Sequence, residues 1–394
     1  MNFRGPDARP PFRPEIEAIE QNGITGVALP HLDDPDVIPL WFGEGDRETP
    51  EIIRRASKEA LDRGDTFYVH TRGRQSLRDA IKDYLDELYQ IDVHPDRVSV
   101  PGSAMLGITI AAQFALSTGD HGIIVSPVWP NIDNVFRVTG AEVSHVRQRQ
   151  TGSGWYLDLD DLRAELRPGT RAVFVNSPCN PTGWIMPPEQ QRELLDLCRE
   201  RGLVLIADEV YHRTVFERRA APSFLEIAGD EDPVVVVNSF SKAWAMTGWR
   251  IGWVVAPRRH AVQWAALSEC FNTGSTVFTQ NSGIVALTEG EDFVRELQLQ
   301  YGRGRDIVDR HLAGHPRLRY STPEGAFYAF PEVEGLGDSL AFVEGVLAEE
   351  KVGLAPGFTF GPGNDGYFRL CFAQSHDRLE EAMARVVRYI DRHC

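Results

Sequence analysis

Short apolar segments, each ending in polar or glycine-rich residues, constrain the fold of this chain more than any other feature. They lie near residues 98, 122, 172, 203, 234 and 250, and stretches with helical spacing separate most of them. Apolar runs of this length predict buried strands, and their alternation with helices predicts a doubly wound, mostly parallel α/β sheet. Ligands bind such a sheet at the carboxyl ends of its strands. The residues that follow each strand are therefore the candidates for function.

The last hundred or so residues have a different pattern, which predicts a smaller α+β domain. A long helix is expected at 293–312, followed by strands at 317–320, 326–330 and 367–372 and helices at 339–350 and 376–393. We predict an N-terminal arm at 1–45 that packs with this small domain, a large domain at 46–290 that contains the parallel sheet, and the small domain at 291–394. At the start of the large domain, Thr49 and Pro50 are expected to be the N-cap and first residue of a helix.

Composition excludes several classes of function. The 394 residues include 41 Lys and Arg against 57 Asp and Glu, a net charge of −16 that disfavours nucleic-acid binding. No apolar run approaches the roughly 20 residues of a membrane span. The five cysteines are scattered without metal-ligand spacing, which predicts reduced thiols, no metal site and a cytoplasmic location.

Lys242 is the first candidate for chemistry, because it lies just after the apolar run at 234–237. A partly desolvated lysine can lose its proton and form a Schiff base with an aldehyde. A solvated loop lysine is the commoner explanation for a single lysine. The neighbouring residues favour a reactive lysine instead. The hydroxyls of Ser239 and Ser241 precede Lys242, and Arg250 follows it with a side chain suited to bind a phosphate.

Other strand ends carry complementary groups. Asp208 is the last residue of an apolar strand. Burying a carboxylate there costs free energy unless a cationic group pairs with it. The turn Gly102-Ser103-Ala104 opens an almost uncharged helix, whose free N–H groups and dipole favour an anion. Trp129 follows another strand and is either a flat surface for a planar ring or a core side chain.

Together these groups supply an amine, a buried acid, a phenol, an amide, a flat aromatic ring and an anion pocket. The phenol is Tyr211 and the amide is Asn180, both on loops at the same predicted edge of the sheet. The set suits a planar aldehyde that carries a ring nitrogen, a ring hydroxyl and a phosphate. Pyridoxal 5′-phosphate has all of these features.

Motifs spread over nearly the whole chain resemble one family, the class I/II aminotransferases of the aspartate aminotransferase superfamily, which are fold-type I pyridoxal-phosphate enzymes. The motifs are Gly43-Glu44-Gly45-Asp46 with Thr49-Pro50, Tyr68 with Gly73 and Leu77-Arg78-Asp79-Ala80-Ile81, Asn180-Pro181-Thr182-Gly183, Asp208-Glu209-Val210-Tyr211, Ser239-Phe240-Ser241-Lys242 with Arg250, and Phe368-Arg369-Leu370. Each motif is weak by itself, whereas their order and spacing are specific.

The resemblance implies a role for each residue around the cofactor ring. Lys242 would bind the cofactor as an imine and then act as general base and acid. Asp208 would keep the ring nitrogen protonated, so that the ring withdraws electrons. Tyr211 and Asn180 would hydrogen-bond the ring oxygen, and Trp129 would stack on the ring.

The resemblance also implies the phosphate, substrate and subunit contacts. Gly102, Ser103, Ala104, Ser239 and Arg250 would hold the phosphate, with Ser241 as a further contact. Arg369 would clamp the substrate carboxylate with the Gly43 backbone and Asn180. Tyr68 would reach the phosphate of a neighbouring subunit, which implies a homodimer with composite sites.

The expected reaction is transfer of an amino group from an L-amino acid to a 2-oxo acid. The same scaffold also suits β- or γ-elimination, cyclisation or oxidation of an amino acid, and a non-catalytic effector domain of a transcription regulator is a third hypothesis. Gly45 replaces the proline usual in its motif, and residues 260–294 contain no Lys or Arg. The second departure disfavours a dicarboxylic amino acid as the donor.

Overall fold

The computed structural model describes residues 12–152 and 154–394, and its centre is a seven-stranded sheet. The strands follow the spatial order Val98–Gly102, Gly252–Val255, Val234–Ser239, Val204–Asp208, Thr170–Asn176, His121–Ser126 and Glu142–Arg147. Gly252–Val255 runs antiparallel to both of its neighbours, and the pairings from Val234–Ser239 to Glu142–Arg147 are all parallel. The predicted doubly wound, mostly parallel α/β sheet is confirmed.

The sheet includes one strand that the sequence pattern did not predict. Glu142–Arg147 pairs with His121–Ser126 at the edge of the sheet, and most of its residues are exposed or half-buried. An edge strand has a single neighbour and is more open to water, so its side chains need not be apolar. The polar composition of this segment therefore hid the strand.

The helices lie on both faces of this sheet and beyond it. They span Pro14–Glu17, Gly23–Ala28, Glu51–Asp62, Gln75–Tyr89, Ala104–Ala115, Asn131–Val138, Leu159–Glu165, Pro188–Arg201, Phe240–Ala243, Ala261–Asn272, Val277–Glu289, Glu291–Leu312, Ser339–Glu350 and His376–His393. Shorter strands span Ile38–Pro39, Arg149–Thr151, Gly154–Tyr156, Leu318–Arg319, Tyr328–Ala329, Glu332–Val333, Val352–Gly353, Ala355–Pro356 and Phe368–Cys371. Among the described residues, none of the helices combines the length and apolarity that crossing a bilayer requires.

The prediction that Thr49 caps a helix is wrong. The helix Glu51–Asp62 has Pro50 at its N-cap and no side-chain cap. The Thr49 hydroxyl instead donates to the carbonyl oxygen of Ala245 (2.5 Å) and accepts from the indole nitrogen of Trp249 (3.0 Å). Thr49 therefore joins the N-terminal half of the chain to the segment that follows Lys242.

The N-terminal segment contacts the C-terminal part of the chain. Ile38–Pro39 pairs in parallel with Val352–Gly353, and Trp41 packs so closely that a Cβ on Gly353 would lie 2.1 Å from its ring. Residues 1–11 of the predicted arm lie outside the described residues. The division into arm, large domain and small domain stays a prediction.

Candidate active site

A cavity of about 270 Å³ lies at the carboxyl edge of the sheet. The predicted site residues that line it are Gly43, Ala104, Trp129, Asn180, Asp208, Tyr211, Ser239, Ser241, Lys242, Arg250 and Arg369. Gly102 and Ser103 shape the turn beside it without lining it, and Tyr68 lies elsewhere. Residues from distant parts of the chain thus meet in one space, because parallel strands bring their carboxyl ends to one edge.

Lys242 lies on the short helix Phe240–Ala243, directly after the strand Val234–Ser239. The Ser239 hydroxyl accepts from the Ser241 backbone N–H (3.0 Å) and so caps this helix. The half-buried lysine donates from Nζ to the Gly43 carbonyl oxygen (2.6 Å). Burial lowers the pKa of Lys242 to about 8, although the Cys371, Glu44 and Asp208 side chains oppose the shift. Part of the lysine is therefore a neutral nucleophile near physiological pH.

Asp208 is the last residue of the strand Val204–Asp208 and is 5% exposed. Burial raises the pKa of this carboxyl to about 7, against the opposing effects of the Val210 N–H and of the Lys242 charge. The carboxylate accepts a hydrogen bond from the Val210 backbone (3.2 Å). A carboxylate accepts up to about four hydrogen bonds, so Asp208 retains capacity for a cationic donor from a ligand.

Asn180 is held in place by Asn176, a residue that the sequence analysis missed. The Asn176 side chain donates to the backbone oxygen of Asp208 (2.9 Å) and accepts from the backbone N–H of Asn180 (2.8 Å). It thereby ties the ends of two neighbouring strands together, and it also lines the cavity. The signal was available, because Asn176 is the polar residue that ends an apolar strand.

Arg369 enters the cavity from the strand Phe368–Cys371 and is 2% exposed. It donates through Nη1 to the Asn180 amide oxygen (3.1 Å) and through Nη2 to the Trp41 carbonyl oxygen. Its Nε is buried and has no hydrogen-bond partner among the described residues. A guanidinium has five N–H donors, so donors remain for a ligand carboxylate.

Tyr328 is a second cavity residue that the sequence analysis missed. Its hydroxyl shares a hydrogen bond with that of Tyr211 (2.7 Å), and the Arg369 guanidinium lies 4.6 Å from its ring centroid. Burial and the neighbouring Tyr328 raise the pKa of Tyr211 well above its usual value. A Cβ on Gly43 would lie 1.9 Å from the Tyr328 hydroxyl, so this approach requires glycine. No sequence signal separates Tyr328 from the other buried aromatic residues.

The groups predicted to bind a phosphate meet at one side of the cavity. Ala104 begins a helix whose cap, Ser103, accepts from the Leu106 N–H (3.2 Å), and the first N–H groups of a helix have no intrahelical acceptor. Gly102 has φ +133°, a conformation that favours glycine. Arg250 donates to the Thr247 carbonyl oxygen (2.6 Å) and its exposed side chain lines the cavity. This side of the cavity suits an anion.

Tyr68 does not join the cavity of its own chain. It is 88% exposed, its neighbour Phe67 is 82% exposed, and both line a separate concavity of about 260 Å³ with residues 272–278. Because the two aromatic residues are adjacent, they form one exposed apolar patch, and contiguous apolar patches are typical of interaction surfaces.

The N-terminal helix Gly23–Ala28 supplies a wall of the cavity that was not predicted. Asn22, Ile24 and Thr25 line it, as do Met105 and Ile108 of the helix Ala104–Ala115. The Pro- and Gly-rich N-terminal sequence carries no signal of this placement, because contact with a remote cavity depends on the path of the chain.

Comparison with known proteins identifies the family. The family described as aminotransferase class I and II matches residues 35–386. Among curated proteins, an aspartate aminotransferase from Pyrococcus horikoshii is 32% identical over 359 residues, which cover 90% of this chain and 91% of that protein. An arginine–pyruvate transaminase from Pseudomonas aeruginosa is 32% identical over 353 residues and 89% of each chain.

Solved structures agree with the sequence comparison. An aromatic aminotransferase from Pyrococcus horikoshii has a TM-score of 0.85 and 32% identity, covering 91% of this chain and 96% of that one. An aminotransferase from Mycobacterium tuberculosis has a TM-score of 0.90 and 29% identity, covering 98% and 100%. The chain belongs to the class I and II aminotransferase family, whose members are fold-type I enzymes, generally dependent on pyridoxal phosphate, that transfer amino groups between amino acids and 2-oxo acids.

Proposed function

We propose that this protein binds pyridoxal 5′-phosphate through Lys242 and transfers the amino group of an L-amino acid to a 2-oxo acid. The observation that carries the proposal is that one cavity contains Lys242, Asp208 and Arg369 together. These three residues come from different elements of the fold, and each has a charge or donor that the protein itself leaves partly unused.

The residues of the cavity fit this cofactor. Asp208 is buried and accepts a hydrogen bond from a backbone N–H, so a protonated ring nitrogen would satisfy the remaining carboxylate oxygen. The start of the helix Ala104–Ala115, the Ser239 and Ser241 hydroxyls and Arg250 would hold the phosphate dianion. The turn residues Gly102 and Ser103 would direct backbone groups toward it.

When bound, the cofactor supplies an electron-withdrawing ring that stabilises negative charge at the substrate Cα. Lys242 would take the proton from the substrate Cα as general base and donate a proton as general acid, roles for which a pKa of about 8 is suited. Tyr211, Asn180 and Trp129 line the same cavity; Tyr211 and Asn180 would hydrogen-bond the ring oxygen, and Trp129 would pack against the ring face.

Arg369 binds the α-carboxylate of the amino acid. Its guanidinium is oriented from two sides, by the Asn180 amide oxygen and the Trp41 carbonyl oxygen, and its apolar face lies against Tyr328. The fork is therefore fixed before the substrate arrives, which reduces the entropy lost on binding. The Gly43 backbone lies beside it in the same cavity.

We further propose a homodimer in which Tyr68 reaches the phosphate site of the partner subunit. The support is the exposure of Tyr68 and Phe67, two aromatic side chains whose apolar surface a partner would cover. Hybrid dimers test this proposal. Mixing Lys242→Ala and Tyr68→Ala subunits creates one site with both native residues only if Tyr68 acts across the interface. Activity above that of either parent supports the proposal, and a mixture with the activity of its parents contradicts it.

The principal experiment is spectroscopic and chemical. Protein reconstituted with pyridoxal phosphate should show a visible absorption band that Lys242→Ala lacks, and an amino acid with a 2-oxo acid should yield the new amino acid. Continuous ammonia release without an oxo acid would instead indicate elimination or oxidation. An unchanged spectrum in Lys242→Ala would refute the proposed role of the lysine.

A further inference from the structure

The charged side chains that line the cavity already have assignments. Among residues 12–152 and 154–394, the charged lining residues are Asp208, Lys242, Arg250 and Arg369. The proposed function assigns Asp208 and Lys242 to the ring and to the proton transfer, Arg250 to the phosphate, and Arg369 to the α-carboxylate. Among the described residues that line the cavity, none thus offers a further charge to the side chain of a substrate.

The remaining wall of the cavity is uncharged. It includes six residues, namely Asn22, Ile24 and Thr25 from the N-terminal segment, Phe42, and Met105 and Ile108 from the helix Ala104–Ala115. With the α-carboxylate on Arg369 and the Cα near Lys242, the substrate side chain is directed to what is left of the lining. We call these six residues the side-chain subsite.

The charged residues of the small cavity that adjoins the main one at Gly43 and Lys242 are engaged elsewhere. The Glu44 carboxylate accepts from the Thr247 hydroxyl and lines an adjoining cavity of about 40 Å³ together with Arg47. Arg47 donates to Gln300 (3.2 Å) and to Glu296 (3.4 Å). Neither residue lines the main cavity, so neither is available to a ligand in the side-chain subsite.

The concavity lined by Phe67 and Tyr68, the surface that indicates a partner, has no Lys or Arg among its described lining residues. The exposed aromatic residues Phe67 and Tyr68 share a concavity with residues 272–278. Residues 260–294, which include that stretch, contain no Lys or Arg. The proposed dimer would therefore bring aromatic surface to the site.

We propose that the side-chain subsite selects substrates with uncharged aliphatic or aromatic side chains and discriminates against dicarboxylic and dibasic ones, an inference that rests on the proposed function. A second carboxylate or a distal ammonium group would lose its water without gaining a partner, which is costly in an apolar environment. Aliphatic and aromatic side chains gain by leaving water. The same selection applies to the 2-oxo acid, because it occupies the same cavity.

The test is a single-turnover comparison in the reconstituted enzyme. Each amino acid is mixed with the enzyme in the absence of an oxo acid. Leucine, methionine and phenylalanine form the apolar set, and aspartate, glutamate, arginine and lysine form the charged set. We expect the three apolar amino acids to change the visible spectrum of the enzyme at least about 100-fold faster than the four charged ones. Equal or faster reaction of a charged amino acid overturns the inference and leaves the proposed function standing. A spectrum that no amino acid changes refutes the proposed function instead.

A binding measurement removes dependence on turnover. Unreactive carboxylates are titrated into the same enzyme, with 3-phenylpropanoate and 4-methylpentanoate as apolar ligands and succinate and glutarate as dicarboxylates. We expect the apolar ligands to bind at least roughly tenfold more tightly. Tighter binding of the dicarboxylates would overturn the inference.

A gain-of-function variant tests the location of the subsite. Thr25→Lys places a cation in the subsite and is expected to raise the rate with aspartate relative to leucine by roughly tenfold or more. Ile19→Lys is the matched control, since Ile19 is 41% exposed on the same segment and does not line the cavity. Should Thr25→Lys not fold, Met105→Lys introduces the charge from the helix Ala104–Ala115. A preference that neither variant moves, or that Ile19→Lys moves equally, contradicts the assignment of the subsite.

Discussion

Replacing Arg369 by lysine tests how the α-carboxylate is held. The positive charge is retained, whereas the planar fork is lost. The native guanidinium donates to the Asn180 amide oxygen (3.1 Å) and to the Trp41 carbonyl oxygen and still has donors for a carboxylate. A lysine ammonium cannot bond the Asn180 oxygen, the Trp41 oxygen and a substrate carboxylate in a single conformation. The change therefore affects the orientation of the substrate more than the charge of the cavity.

The expected size of the effect follows from the hydrogen bonds lost. A hydrogen bond that involves a charged group contributes about 1.5–3 kcal/mol, and the loss of one arm of the fork also leaves a buried acceptor, Asn180 or Trp41, without its donor. We expect a loss of about 2–4 kcal/mol, or roughly 30- to 900-fold in kcat/KM. Most of the loss should lie in KM, because the carboxylate is bound in both the ground state and the transition state.

The assay is kcat/KM for the best amino donor, together with the dissociation constant of an unreactive carboxylate. Arg378→Lys is the matched control, because Arg378 donates to a backbone oxygen, that of Val37 (3.4 Å), and does not line the cavity. The control should retain native kinetics. A kcat/KM for Arg369→Lys within about threefold of the native value, with the cofactor spectrum intact, would refute the reasoning.

Three further predictions concern the buried charges. Asp208→Asn should keep the cofactor and lower kcat roughly 100- to 1,000-fold, the usual cost of one preorganised electrostatic partner; a native kcat would contradict its role. Without cofactor, Lys242→Met should be more stable by about 2 kcal/mol in chemical denaturation at pH 7. Because the folded pKa of Lys242 is about 8 against 10.5 unfolded, this gain should vanish as pH rises through that range; a gain that grows would contradict it. Glu291→Gln should cost about 2–3 kcal/mol of unfolding free energy, since it leaves the fully buried Arg213 side chain underpaired, whereas the exposed control Glu87→Gln should cost under about 0.5 kcal/mol. Equal costs would show that burial does not strengthen the Arg213 pair.

Much of the site was predictable because of where it lies. Asp208 and Lys242 each follow an apolar strand, and topology brings the carboxyl ends of parallel strands to one edge of the sheet. A polar residue at the end of a buried run is therefore a signal that needs no coordinates. Asn176 carries the same signal and was missed only because an amide beside other polar residues is a common way to end a strand.

Other residues lay beyond the reach of sequence reasoning. Tyr328 lies within an apolar segment, and its role depends on a hydroxyl pair with Tyr211 and on its approach to Gly43. The edge strand Glu142–Arg147 was hidden because few of its side chains are buried. The homodimer, the domain limits and the cytoplasmic location stay predictions, since they depend on partners and compartments outside a single chain.

The amino-acid sequence by itself determined the class of fold and the chemistry available, because hydrophobic periodicity and strand-end residues are local properties of the chain. Only the tertiary structure decided which residues form the walls of the cavity around those reactive groups. The N-terminal helix Gly23–Ala28 reaches a cavity built mostly from residues far along the chain, and its uncharged side chains set the character of the side-chain subsite. Such a contact is fixed by packing between distant segments, which leaves no periodic trace in either of them.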